Sequence, residues 1–173
     1  LSDGCTWVVL ADGGRARVLE ERQGGVALRE QATFFHSRDD DSVAVVDLAH
    51  ARVRGRVSVG THPFAVLEDA PRSRLYVLNV LSDDLTVVDT QTLQVLATVG
   101  VGHAPYGAAL ADGGRLIYVT NQHDDSVSVI DADTLALRQT LHGFGYPEGV
   151  AAHADRVYVV NWMDDAVSVL DAA

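Results

Sequence analysis

Lysine is absent from this chain: all thirteen basic residues are arginine, a bias that fits GC-rich coding. Twenty-four acidic residues oppose them, giving a formal net charge of −11 and an isoelectric point near 4.8. That balance argues against a nucleic-acid partner, because phosphate backbones are held by dense positive charge. The acidic residues are spread among the polar segments, so no charged tail or patch stands out. A single cysteine, Cys5, permits no internal disulfide and leaves the redox compartment open. No apolar run approaches the roughly 18 residues of a spanning helix, so no membrane span is expected. The chain opens without an initiator Met or a signal peptide, as a processed or trimmed chain would. Also missing are a CxxCH haem-attachment site, Cys/His zinc spacing, a phosphate-cradling glycine loop and a GxSxG elbow.

What the chain has in quantity is one short pattern, four times over. It reads FFHSRDDDSVAVVD from Phe34, YVLNVLSDDLTVVD from Tyr76, YVTNQHDDSVSVID from Tyr118 and YVVNWMDDAVSVLD from Tyr158. The lead aromatics are 42, 42 and 40 residues apart. A repeat of that length signals stacked supersecondary units. Within the third copy, Pro105 opens a strand, a GGR turn follows at Gly113, and Leu116 to Asn121 alternates as a second strand. Ser126 to Asp131 makes a third, and the segment after Leu135 a fourth. Runs of four to six β-branched or aromatic residues broken by Gly, Asp and Asn predict antiparallel strands. The fold expected is all-β, a β-propeller of four-stranded antiparallel meanders, with units at about 1–60, 61–102, 103–144 and 145–173.

The recurring polar residues read first as architecture. Asp89 and Asp131 begin D-x-x-T turns closed by Thr92 and Thr134, where a carboxylate accepts backbone N–H groups two and three residues on. Asp41, Asp83, Asp125 and Asp165 precede each third strand, and Asn79, Asn121 and Asn161 end each second one. Residues present in every unit maintain the unit, so all of these are taken as turn formers.

The YVTN run at Tyr118, the trailing DDSVSVID, and the leads VGHAP at Val101 and VGTHP at Val59 resemble the YVTN class of β-propeller repeats. The resemblance covers about residues 34–173. It implies blades around a central channel with the first strand innermost, and an extracytoplasmic protein, periplasmic or secreted. The class includes surface-layer proteins, periplasmic binding proteins and the propeller parts of quinoprotein and haem enzymes, so it fixes no reaction.

The opening 33 residues allow two registers. Trp7 to Glu20 aligns with Tyr118 to Asp131, which leaves a step of 27 residues to Phe34 and implies missing sequence near Ala32. Alternatively Leu10 to Arg15 aligns with Leu110 to Arg115, making Thr6 to Leu10 an innermost strand in an enlarged first unit. The second uses more of the chain and is preferred. At 173 residues the chain is a minimal four-bladed ring, a piece of a larger ring, or a subunit closed by assembly, with the piece preferred.

Two loop families fall on one face: those leading into each first strand and those between strands two and three. His62 and His103 lie in the first family, near the channel mouth; His36 and His123 lie in the second. They are out of register, since His62 directly precedes its proline and His103 stands two before, which argues against a metal or haem set. His50, His142 and His153 read as surface loop residues. The second family also presents Val80-Leu81, Gln122-His123 and Trp162-Met163 at its tips; Trp and Met are common interface anchors, the alternative being that Trp162 folds back on its own blade. Tyr106 and Tyr146 flank the lead prolines, where they either line the channel mouth or pack between blades. The binding candidates are therefore His62, His103, His123, Trp162, Met163 and Tyr106, with no catalytic or metal residue assigned.

The reading that follows is a non-enzymatic binding or scaffold module, acting on a protein partner or small ligand or associating with itself, and needing no cofactor. The alternative is the propeller part of a quinoprotein or haem oxidoreductase, with a lactonase-like hydrolase using a metal behind it.

Overall fold

A computed structural model describes residues 5–12, 15–22, 26–28, 32–47, 50 and 52–172. Strands β1 (Cys5–Asp12) and β2 (Arg15–Arg22) pair as a two-stranded hairpin. Blade one follows as β3 (Val26–Leu28), β4 (Ala32–Ser37), β5 (Ser42–Asp47) and β6 (Arg52–Ser58). Blade two is β7 (Pro63–Asp69), β8 (Arg74–Asn79), β9 (Asp84–Asp89) and β10 (Val95–Gly100). Blade three is β11 (Pro105–Ala111), β12 (Leu116–Asn121), β13 (Ser126–Asp131) and β14 (Leu137–His142). Blade four is β15 (Pro147–His153), β16 (Arg156–Asn161) and β17 (Ala166–Asp171). Each blade is an antiparallel meander in chain order, and the described blades follow one another without closing a ring.

One preferred register is corrected. The inner strand of blade one is Val26–Leu28, paired with β4, and Thr6 to Leu10 belongs to the separate hairpin. β1 is paired with β2 along its whole length, and the short segment before β4 takes the inner place. Residues 23–25 and 29–31, the heart of the enlarged first unit, and Leu1 to Gly4 lie outside the described residues.

The strand alternation explains how blades stack. In β8, Leu75 and Val77 turn to blade one, where they join Phe34, Val43, Val45 and Val57. Tyr76 and Leu78 turn the other way and meet Ile117, Val119 and Ile130 of blade three. Tyr118, Val127 and Val129 then meet Val157 and Val159 of blade four. Middle strands are thus apolar on both sides, and each fully buried Val, Leu or Ile contributes about 1.5–3 kcal/mol. Blades approach closely at Gly107 in β11, where a Cβ would stand 2.7 Å from the Glu148 carbonyl of the next inner strand. Thr120 Oγ1 donates to that carbonyl at 2.7 Å and accepts from the Gly107 N–H at 2.9 Å.

Candidate functional site

In blades two, three and four the two loop families are hydrogen-bonded to each other. The N–H groups of Val80 and Leu81 donate to the His62 and Thr61 carbonyls, Gln122 and His123 to Ala104 and His103, and Trp162 and Met163 to Tyr146 and Gly145. The repeated aspartates add a second set of bonds, between blades. Asp41 Oδ1 accepts from the His62 N–H at 2.7 Å, Asp83 Oδ1 from Ala104 at 3.0 Å and Asp125 Oδ1 from Tyr146 at 2.9 Å. Asp41, Asp83, Asp125 and Asp165 all have φ between 48 and 54°, a left-handed turn that Asp tolerates better than most residues. So they do form turns, and three of them also tie one blade's loop to the lead of the next.

The asparagines act differently from the turn role assigned to them. Asn79, Asn121 and Asn161 are buried at strand ends, and their amides donate across to Thr86, Ser128 and Ser168 at 2.9, 2.9 and 2.7 Å. The D-x-x-T carboxylates match their expected geometry: Asp89 Oδ1 accepts from Gln91 and Thr92, and Asp131 Oδ1 from Asp133 and Thr134. The Thr134 N–H, followed by Arg138, holds the Asp131 carboxyl well below the usual range.

A row of side chains runs along the inner rim of this face. The residue after each lead proline is Phe64, Tyr106 or Glu148, and each is part-buried. Phe64 and Tyr106 stack with centroids 4.3 Å apart, and the Arg38 guanidinium carbon lies 4.8 Å over the Phe64 ring. Gln122 Nε2 donates to Glu148 Oε1 at 2.8 Å. Arg38 and Gln122 hold the same place in the first and third repeats, and each meets the post-proline residue of the next blade, Phe64 and Glu148. Val80 and Trp162 are the other two residues at that place.

Farther out, Tyr146 bridges blades three and four. Its ring centroid is 5.7 Å from His123 and 5.6 Å from Trp162, and its hydroxyl is 3.4 Å from His123 Nε2. Trp162 and Met163 are 59 % and 66 % exposed, as open as Leu81 of blade two at 67 %. Trp162 holds the place in its repeat where Gln122 is 8 % exposed under Glu148, and its ring meets that of Tyr146.

The structure thus brings His123, Tyr146, Trp162 and Met163 together and places Tyr106 in the inner row. It does not gather the histidines. His103 Nδ1 pairs with Asp83 Oδ2 at 2.7 Å, while His62 lies in the lead of blade two with φ 58°. Among the described residues no group of three or more His, Cys, Asp or Glu stands close enough to hold a metal ion. His36 is corrected: it lies inside β4 rather than in a loop, and only 1 % of it is exposed. Burial, with the Arg38 charge next, lowers its pKa to about 4. Arg38, Phe64 and Glu148 were not singled out from the sequence, although the fixed place after each lead proline marks the last two.

No family model matches the chain, and no curated protein sequence matches it. Solved structures do. Hydrazine synthase of Kuenenia stuttgartiensis superposes with a TM-score of 0.73 at 24% identity, over 82% of this chain and 43% of that one. U3-55K gives 0.69 at 18% identity over 95% and 54%, and virginiamycin B lyase from Staphylococcus aureus gives 0.71 at 7% identity over 90% and 60%. The chain spans about half the length of these structures. Likeness at such identities carries the β-propeller fold and leaves activity to the site.

Proposed function

We propose that this propeller is a binding module whose loop-rich face takes a protein partner or small ligand without chemistry of its own. The observation that carries the reading is the inner row of Arg38, Phe64 and Tyr106, stacked at 4.8 and 4.3 Å on loops pinned between blades. Rings held in place lose little freedom on contact, and Arg and aromatic residues dominate interface energies. The exposed Trp162 and Met163 extend the same face outward. His62, His103 and His123 serve it as polar edge groups, one of them already paired with Asp83. The repeats' resemblance to the YVTN class supports an exported, extracytoplasmic setting, and recovery from the cytoplasmic fraction of source cells would count against that.

The test is selection of displayed peptides on the wild-type protein, followed by binding to Tyr106→Ser and Trp162→Ala, with urea unfolding of both variants as the control for folding. Selected peptides should lose at least about tenfold in affinity on one or both variants, as expected for an anchor residue. Peptides that bind both variants as tightly as wild type would reject this face.

A further inference from the structure

One pair of positions on the inner rim changes its chemistry from junction to junction. Between blades three and four it holds Gln122 and Glu148, and the amide Nε2 donates to the carboxylate Oε1 at 2.8 Å. Between blades one and two the same two positions hold Arg38 and Phe64. The donor is stronger there and the carboxylate is replaced by a ring, which lies 4.8 Å under the guanidinium carbon. A ring offers a cation its face but no lone pair in hydrogen-bond geometry.

Arg38 makes no hydrogen bond or ion pair with another described residue, and its Nε–H is buried without an acceptor. Three carboxylates follow it directly in the chain, yet none turns to it. Asp40 accepts from the Ser37 hydroxyl, Asp41 accepts the His62 N–H, and Asp39 is exposed. Elsewhere Arg72, Arg115, Arg138 and Arg156 all pair with aspartate. Leaving a part-buried guanidinium without an acceptor is costly, and an arriving oxygen ligand removes that cost. Both walls of this junction are described, so the unpaired cation is a property of blades one and two themselves.

The surroundings set the charge and shape of what fits. The nearby His36 is neutral above its lowered pKa of about 4, which leaves Arg38 as the permanent cation beside three aspartates. One arginine balances one negative charge, whereas a dianion would face those aspartates uncompensated. The planar fork of a guanidinium matches a carboxylate. The Phe64 and Tyr106 rings, 4.3 Å apart, offer an aromatic platform beside it.

We infer that Arg38, with Phe64 and Tyr106, holds the carboxylate of an aromatic monoacid, which supplies at this junction the oxygens that Glu148 supplies two blades on. The assignment rests on the binding face proposed above and names the chemistry that face selects. A free aromatic acid and a peptide ending in an aromatic residue present the same group.

The probes are 3-phenylpropanoate and its neutral amide, and the peptide Gly-Gly-Phe with a free or an amidated C-terminus, each titrated into the whole protein and followed by NMR. At least one acid should bind with a Kd of about a millimolar, as its size allows, and shift the resonances of Arg38, Phe64 and Tyr106. It should bind at least about tenfold more tightly than its amide, the worth of a charge-assisted pair. Preference in the small acid alone names a free ligand as the source, and preference in the peptide alone names a chain terminus. Arg38→Gln, shown by urea unfolding to fold, should bring the acid down to the level of its amide. Arg38→Lys keeps the charge without the fork and should lose about threefold or more of the preference. Tyr106→Ser should weaken acid and amide alike. Equal binding of acid and amide, a preference that survives Arg38→Gln, or displacement of the acid by inorganic phosphate would overturn the assignment. Displayed peptides that bind through Tyr106 or Trp162 while neither acid binds would overturn it alone and leave the binding face standing.

Discussion

Removing the Asp83 carboxylate is the sharpest probe of how blades are joined. Its Oδ1 accepts the N–H of Ala104, a residue only 4 % exposed, and its Oδ2 meets His103 at 2.7 Å. Asp83→Ala leaves that N–H without a partner, at about 1–3 kcal/mol for a buried donor. It also puts Ala at φ 54°, which adds about 1 kcal/mol. The sum is about 2–4 kcal/mol. Asp83→Asn keeps an acceptor and tolerates the turn, so it should cost under about 1 kcal/mol. Asp83→Gly relieves the backbone and loses only the bond, and should fall between. Asp165→Ala is the control, because Asp165 shares the left-handed turn (φ 50°) but has no next-blade N–H among the described residues. It should lose only the turn contribution, about 1 kcal/mol. Urea unfolding midpoints at constant slope measure all four. If Asp83→Ala costs no more than Asp165→Ala, the bond between blades contributes nothing and the aspartates are turn formers alone.

Two further outcomes follow from the packing. His36 is neutral when folded, with its pKa lowered from 6.5 to about 4, so the unfolded chain takes up a proton first as pH falls. Its contribution, at most about 3 kcal/mol, is present above pH 6.5 and is lost between 6.5 and about 4. His36→Leu, which places the residue found at Leu78 of the next repeat, should flatten that part of the stability–pH curve; an unchanged slope would show that His36 does not produce it. Gly107→Ala sets a Cβ 2.7 Å from the Glu148 carbonyl, and since backbone must yield, it should cost about 1–3 kcal/mol in thermal or urea unfolding. A neutral Gly107→Ala would mean that the inner strands of blades three and four stand farther apart.

The blades were legible because their signal is local. Alternation within β8, β9, β12 and β13 marks which residues share a face, and D-x-x-T closes on itself within four residues, so Asp89 and Asp131 do what their spacing implies. What was not legible depends on how one blade is rotated against the next. Asp83 and Ala104 are 21 residues apart, and nothing in either loop names the other as partner. Arg38, Phe64 and Tyr106 come from three blades and meet only because successive inner strands step around a common axis. His36 was misplaced because β4 runs past its aromatic pair to Ser37, while the polar SRDDD run drew the loop boundary too early. Trp162 and Met163 were legible as odd apolar residues at a loop tip, and both are exposed among the described residues. The neighbour that leaves Trp162 open where Gln122 is covered lies outside any single repeat.

The account rests on a loop-rich face that is rigid before anything binds, and amide hydrogen exchange of the free protein tests this most directly. The N–H groups of His62, Ala104 and Tyr146 should exchange at least about a hundredfold more slowly than that of the exposed turn residue Gly113, because each is held by a carboxylate of the preceding blade. Exchange of all three at the Gly113 rate would mean that the ties are not formed and that the face is not a preorganised binding surface.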